Sequence, residues 1–168
     1  LEWPTLFFFI GLFIIVGGVI KVGLISNLSE GMISLTKPSA ENMFVTAITT
    51  LWFSAMSSAI VDNIPFVASM IPLVIDTAHA VLPSGTDFKS VVQHTTLMPV
   101  WWSLALGACL GGNGSPVGAS ANVITLGLAE KAGYPISFRK FIAYGIPITI
   151  ETIIIATIYV WLRYYAFI

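Results

Sequence analysis

Charge is what this chain has least of. Asp, Glu, Lys and Arg make up 9% of its 168 residues, against roughly 25% in soluble domains, which excludes an ordinary soluble globular protein. Neither sign dominates: seven Lys+Arg against eight Asp+Glu leave a formal net charge of −1, so there is no basic field to hold nucleic acid. Cysteine is nearly absent. The single Cys109 cannot form an internal disulfide, and its apolar surroundings make it an expected small packing residue. HExxH, a Walker loop, CxxC and a Ser/His/Asp constellation are all missing, so a soluble-type enzyme lacks its parts and no cofactor beyond a coupling ion is expected. What is abundant is apolar: 57% of the chain is hydrophobic, and its 14 Gly and 9 Pro follow no collagen period. An all-α polytopic membrane protein fits this composition.

At about 20 residues per spanning helix, the length allows roughly four to six membrane segments. The first apolar stretch lacks the basic start and cleavage site of a signal peptide, and a start at Leu1 leads us to expect part of a longer protein. Residues 1–25 read as a spanning helix, apolar from Trp3 except for Lys21, with Gly11, Gly17, Gly18 and Gly23 as packing notches. Residues 26–42 mix polar and apolar side chains and read as an interfacial connection. Residues 43–80 are apolar but broken at Asp62-Asn63-Ile64-Pro65, because proline disfavours helix before it and donates no hydrogen bond. Two readings of this helical hairpin compete: two full helices joined by a surface turn, or a re-entrant hairpin with its polar tip inside the membrane.

The next stretch, 81–96, is polar and expected to be solvent exposed, with His94 solvated. Residues 99–131 read as a discontinuous helix. Trp101 and Trp102 stand near its start, as at a membrane interface. Its centre, Gly111 to Gly118, holds four glycines and a proline in eight residues, which no helix interior tolerates. Helix is expected to resume near Ala119. A last helix covers 138–165, with a kink at Pro147 and Glu151 mid-way. Lys131, Arg139 and Lys140 mark the 131–140 loop as cytoplasmic in a plasma or inner membrane, which places the 26–42 and 81–98 segments outside.

Unwound backbone in lipid costs several kcal/mol per unpaired group unless a ligand or protein partner takes it up. A broken helix is therefore a candidate transport site: carbonyls ending its first half suit a cation, and N–H groups opening its second half suit an anion. Asn113, Ser115, Ser120 and Asn122 add neutral oxygen ligands. The bland alternative is a structural kink, with Gly107/Gly111 and Gly114/Gly118 as packing notches. Asp62 is the second candidate, since a carboxylate at membrane depth tends to line an ion or proton path; as a surface residue it would be a turn or cap. Asn63 shares its position. Ser54, Ser57 and Ser58 are as well suited to gluing helices as to binding. Glu151 is a candidate proton relay, or a residue facing a polar interior. Asp76 and His79 read as interfacial.

Two stretches, Ser58-Ala59-Ile60-Val61-Asp62-Asn63-Ile64-Pro65-Phe66 and Gly107 to Val123, resemble the C-terminal half of the ion transporter superfamily, in its arsenite-permease and P-protein branch with citrate-transporter-like domains. The second motif, through Gly111-Gly112-Asn113-Gly114-Ser115-Pro116, is long and specific, although Ser115-Pro116 stands where relatives more often have Thr and an aliphatic residue. The resemblance implies one unit of an inverted-repeat transporter, with a re-entrant hairpin and a broken helix, and so favours the re-entrant reading. It implies that Asp62, Asn63, Ile64, Pro65, Gly111, Gly112, Asn113, Gly114, Ser115, Ser120 and Asn122 form half of a site, with Na+ at Asp62, Asn63 and Asn113. The other half would come from an N-terminal repeat, in a homodimer within the bilayer. The implied function is secondary active transport of a small anion, dicarboxylate or arsenite, coupled to Na+ or H+. Asp62 leans toward a Na+/H+ antiporter instead, and a non-transporting scaffold is the third reading.

Overall fold

The structure, a computed structural model, describes residues 21–39, 43–83 and 87–166, together with separate positions between 7 and 18. These residues are helical, with no strand among them. Within the expected first span, described positions from Phe7 to Lys21 are helical; the other positions before Lys21 lie outside the described residues. Gly23, at φ 78°, turns the chain there, slightly earlier than the sequence suggests. The connection that follows is itself a helix, α1 (Leu24–Thr36), ended by Lys37 in the left-handed region.

The hairpin forms as α2 (Phe44–Ser58) and α3 (Asn63–Val81). Pro65 falls in the first turn of α3, where its missing N–H has no partner to lose. Among the described residues, α3 and the last helix are the ones long and apolar enough to cross a membrane on their own; α2 is shorter, about 22 Å at 1.5 Å per residue. The arms diverge from the tip, α2 packing chiefly on the broken helix and α3 largely on α1.

The polar connection is not simply solvent exposed, as composition suggests. It carries a short helix, α4 (Phe88–Gln93), and a 3-10 turn at Thr95–Leu97, and it buries Val91 and Leu97 completely. Its alternation of apolar and polar residues lets one face seal the end of the core while the other meets water. His94 is half-buried, and its Nδ1 accepts a hydrogen bond from the Thr96 N–H; it caps rather than floats.

The broken helix comprises α5 (Met98–Gly111), a 3-10 turn at Gly112–Gly114, and α6 (Ser120–Lys131). The last helix, α7 (Phe138–Tyr164), continues through Pro147. Cys109 is exposed, not packed: it lies off the α5 face that buries Gly107, Ala108 and Gly111.

Helices α2 and α5 run parallel with a constant offset. A Cβ added at Gly107 would come within 2.3 Å of the Leu51 carbonyl oxygen, and one at Gly111 within 2.3 Å of the Ala55 carbonyl oxygen. Backbones this close exclude any side chain between them. The facing stripe of α2 is correspondingly small and polar, with Thr46, Thr50, Ser54 and Ser58 all buried at four-residue spacing. Ser58 seals the seam by donating to the Ala108 carbonyl at 2.7 Å. Helix α7 closes the other side through Ile153 and Ala156, and Trp52 donates its Nε1–H to Thr157 at 3.2 Å. Because α2 and α5 are parallel and in register, the hairpin tip and the helix break emerge at the same level, side by side.

Candidate functional site

The tip and the break join by direct hydrogen bonds. Ser115, first residue beyond the 3-10 turn, donates its Oγ–H to the Ala59 carbonyl at 2.5 Å. The same oxygen accepts the Gly118 N–H at 3.1 Å. A Cβ at Gly118 would lie 2.7 Å from the Gly112 carbonyl oxygen and 2.8 Å from that of Ser58, so the loop folds back tightly against the end of α2. Only glycine fits there.

Asn122 holds the loop from inside. Its Nδ2 donates to the Gly112 carbonyl at 2.8 Å and to the Ser115 carbonyl at 3.0 Å. Two carbonyls that the break deprives of helical partners are thereby satisfied, as buried backbone requires. The last helix supplies a further wall: a Cβ at Gly145 would lie 2.6 Å from the Asn113 carbonyl oxygen. Sequence reasoning missed Gly145. Its signal was a glycine two residues before Pro147 in an otherwise uninterrupted apolar helix.

Asp62 is the N-cap of α3, its Oδ1 accepting the Ile64 N–H at 3.1 Å. Its other oxygen reaches across 58 residues, accepting the Ser120 N–H at 2.8 Å and the Ser120 hydroxyl. The carboxylate thus spans the first turns of both α3 and α6, where helix dipoles present their positive ends.

The expected site residues therefore divide. Asp62 and Ser120 form one hydrogen-bonded pair across the tip and the break, Ser115 and Asn122 form a second group that ties the break to Ala59, and Gly111, Gly112 and Gly114 supply the close backbone around them. Pro65 is buried behind the tip. Asn63 is half-buried, Ile64 and Asn113 are exposed, and no side-chain hydrogen bond draws Asn63 or Asn113 into either group. Glu151 is exposed on α7, on the opposite side from the face that buries Ile153, Ala156 and Val160; it stands apart from the site. Among the described residues no group of three or more His, Cys, Asp or Glu could hold a metal. The oxygens nearest the break are amide, hydroxyl and carbonyl, together with the Asp62 carboxylate on Ser120, a set suited to a hard monovalent cation or to hydrogen bonding.

Behind the break, α6 is loosely held. It buries no residue, and a cleft of about 640 Å³, bounded by Val117, Val123, Gly127, Glu130 and Ile136, separates it from the loop leading to α7.

The family model described as citrate transporter matches residues 1–107. Over 164 residues, 98% of the chain, the sequence is 47% identical to an uncharacterized transporter of Mycobacterium tuberculosis, of which the match covers 35%. It is 44% identical over 163 residues to a 46 kDa membrane protein of Mycobacterium leprae, covering 97% of the chain and 35% of that protein. The human P protein is 36% identical over 163 residues, covering 94% of the chain and 18% of that protein. The chain thus spans about a third of the length of the mycobacterial relatives. No solved structure matches it.

Proposed function

This chain belongs to the citrate transporter family, whose members are transporters rather than enzymes, and from that premise we propose that the tip at Asp62–Pro65 and the break at Gly111–Asn122 form one half of its transport site. In this reading the chain is part of a multi-pass secondary active transporter that moves a small anion, citrate-like or arsenite, coupled to Na+ or H+ by alternating access. The hairpin is re-entrant, an upstream inverted repeat supplies the other half-site, and the full protein is a homodimer with the 131–140 loop in the cytoplasm of a plasma or inner membrane. Na+ would meet the carbonyl and amide oxygens beside Asn113 and Asn63.

The observation that carries this reading is the meeting of two chain interruptions, 58 residues apart, through Asp62 and Ser120. Interrupted helices are costly in a membrane unless their backbone groups are buried in protein or line a cavity, and here two interruptions meet through direct hydrogen bonds.

The test is flux through the full-length protein reconstituted in vesicles. Labelled citrate uptake is expected to need an imposed Na+ or pH gradient and to fall at least tenfold in Asp62→Asn and Asn122→Ala. Unaltered uptake by both variants would sink the proposal. The presence of a carboxylate at the tip favours a second reading, a Na+/H+ antiporter, in which Na+ alone collapses an imposed pH gradient with no anion present. Glu151 enters either reading as a proton relay facing the upstream half; Glu151→Gln should then slow H+-driven flux specifically.

A further inference from the structure

Helix α6 has no cap of its own. Its N-cap position is Ala119, which makes no side-chain cap bond, although Ser, Thr, Asp or Asn is strongly preferred there. The first donors of α6 instead end on Asp62: Oδ2 accepts both the backbone N–H and the hydroxyl of Ser120, while Oδ1 accepts the Ile64 N–H at the start of α3. A 19-residue helix and a 12-residue helix thus direct their first turns at one carboxylate. Two converging helix N-termini are the arrangement that binds free anions in other proteins, through unpaired N–H groups and the dipole ends. In this protein a side chain fills the seat.

We propose that Asp62 is a built-in anion. It is a positioning residue that latches the hairpin tip to the second half of the broken helix. By occupying the seat it keeps solute carboxylates out, so an acidic solute must be held by groups other than these two helix ends. The consequence for solute choice rests on the transport-site reading above; the latch does not.

The chemistry of the seat makes the latch testable apart from transport. Both contacts require an acceptor. Asparagine has nearly the shape of aspartate but would set an NH2 group against a donor at one of the two helices. A residue that merely filled space would tolerate Asp62→Asn; this one should not. Ser120→Pro removes both Ser120 donors, yet proline is favoured at the first helical position, and Ala119 already has the extended backbone, φ −149° and ψ 137°, that a following proline requires.

The experiment is thermal melting of the purified full-length protein. Asp62→Asn, Asp62→Ala and Ser120→Pro should each lower the melting temperature, and Asp62→Ala/Ser120→Pro should be no worse than the poorer single variant. Sodium formate should restore Asp62→Ala toward wild type, where sodium chloride at equal ionic strength does not, and should leave wild type unchanged because its seat is full. Additive losses, an Asp62→Asn variant as stable as wild type, or formate without effect on Asp62→Ala would each overturn the latch. If Asp62→Ala does not fold, the comparison of Asp62→Asn with Ser120→Pro decides: loss in both supports the latch, and loss in neither refutes it. Wild-type protein that melts as expected yet moves no solute sinks the transport reading alone.

Discussion

The two halves of the broken helix are built on opposite terms. Helix α5 lies against α2 so closely that Gly107 and Gly111 leave no room for a methyl group. Helix α6 buries nothing, and a Cβ at its Gly127 meets no atom within 4 Å. One half is a fixed platform, and the other is tethered through its first turn by Asp62 and Asn122. Loss of tight packing is what lets an element move at small energetic cost, so the difference predicts more motion in α6 than in the α2–α5 pair.

The strongest way to break this contrast is to crowd the platform. Gly111→Ala should destabilise the full-length protein by about 3 kcal/mol, because the added carbon would press on backbone atoms of α2 that can yield only if the helices separate. Thermal melting measures this; a variant as stable as wild type would mean that the platform is looser than its geometry. Next in size is the tether. Asn122→Ala leaves the Gly112 carbonyl without its side-chain donor and the Ser115 carbonyl with only the Gly118 N–H and should cost about 2 kcal/mol, with accelerated hydrogen exchange confined to residues 112–122.

Composition and interruption made much of this legible. The hairpin break at Asp62–Pro65, the unwound stretch after Gly111 and the helix restart beside Ala119 all follow from proline and glycine chemistry that acts within a few residues. The pairing of α2 with α5 does not, because it depends on register between segments 56 residues apart. Gly107 and Gly111 signalled a notch but not which helix fills it. Gly107 and Gly111 do serve as packing notches, since they admit α2 against α5. The roles of individual polar groups were least legible: Asn122 and Asp62, expected as ligands, spend their hydrogen bonds on carbonyls and N–H groups of the chain itself, and only coordinates reveal where a side chain's bonds are used. Cys109 shows the reverse case, since one position along a helix decides between packed and exposed.

On the tethered half, Gly127→Ala probes the contrast with a smaller effect of opposite sign. Alanine in a helix interior is better than glycine by roughly 0.5–1 kcal/mol, and the open space around Gly127 should let that gain appear as a raised melting temperature. A loss instead would show that another part of the full-length protein covers this face of α6, which would turn the tethered helix into a packed one.

The smallest effect calibrates the latch. Asp87 is an ordinary cap: it accepts from the Ser90 hydroxyl at 2.5 Å and from the Ser90 N–H at 3.4 Å, at the start of the six-residue α4. The side-chain bond to Ser90, then the backbone bond, lower its pKa from the usual 3.8. A depressed carboxylate pKa stabilises the folded state above the unfolded value and loses that stabilisation as pH falls through the lower folded value. Hydrogen-exchange protection over 88–93 should therefore hold as pH falls to about 3.8 and fade only below it, and Asp87→Ala should abolish this protection while leaving residues 112–122 unaffected. Asp62 differs by serving two helices at once. If Asp62→Ala loosened only α3, as Asp87→Ala loosens only α4, the two carboxylates would be equivalent; increased exchange at the start of both α3 and α6 is the outcome that sets Asp62 apart.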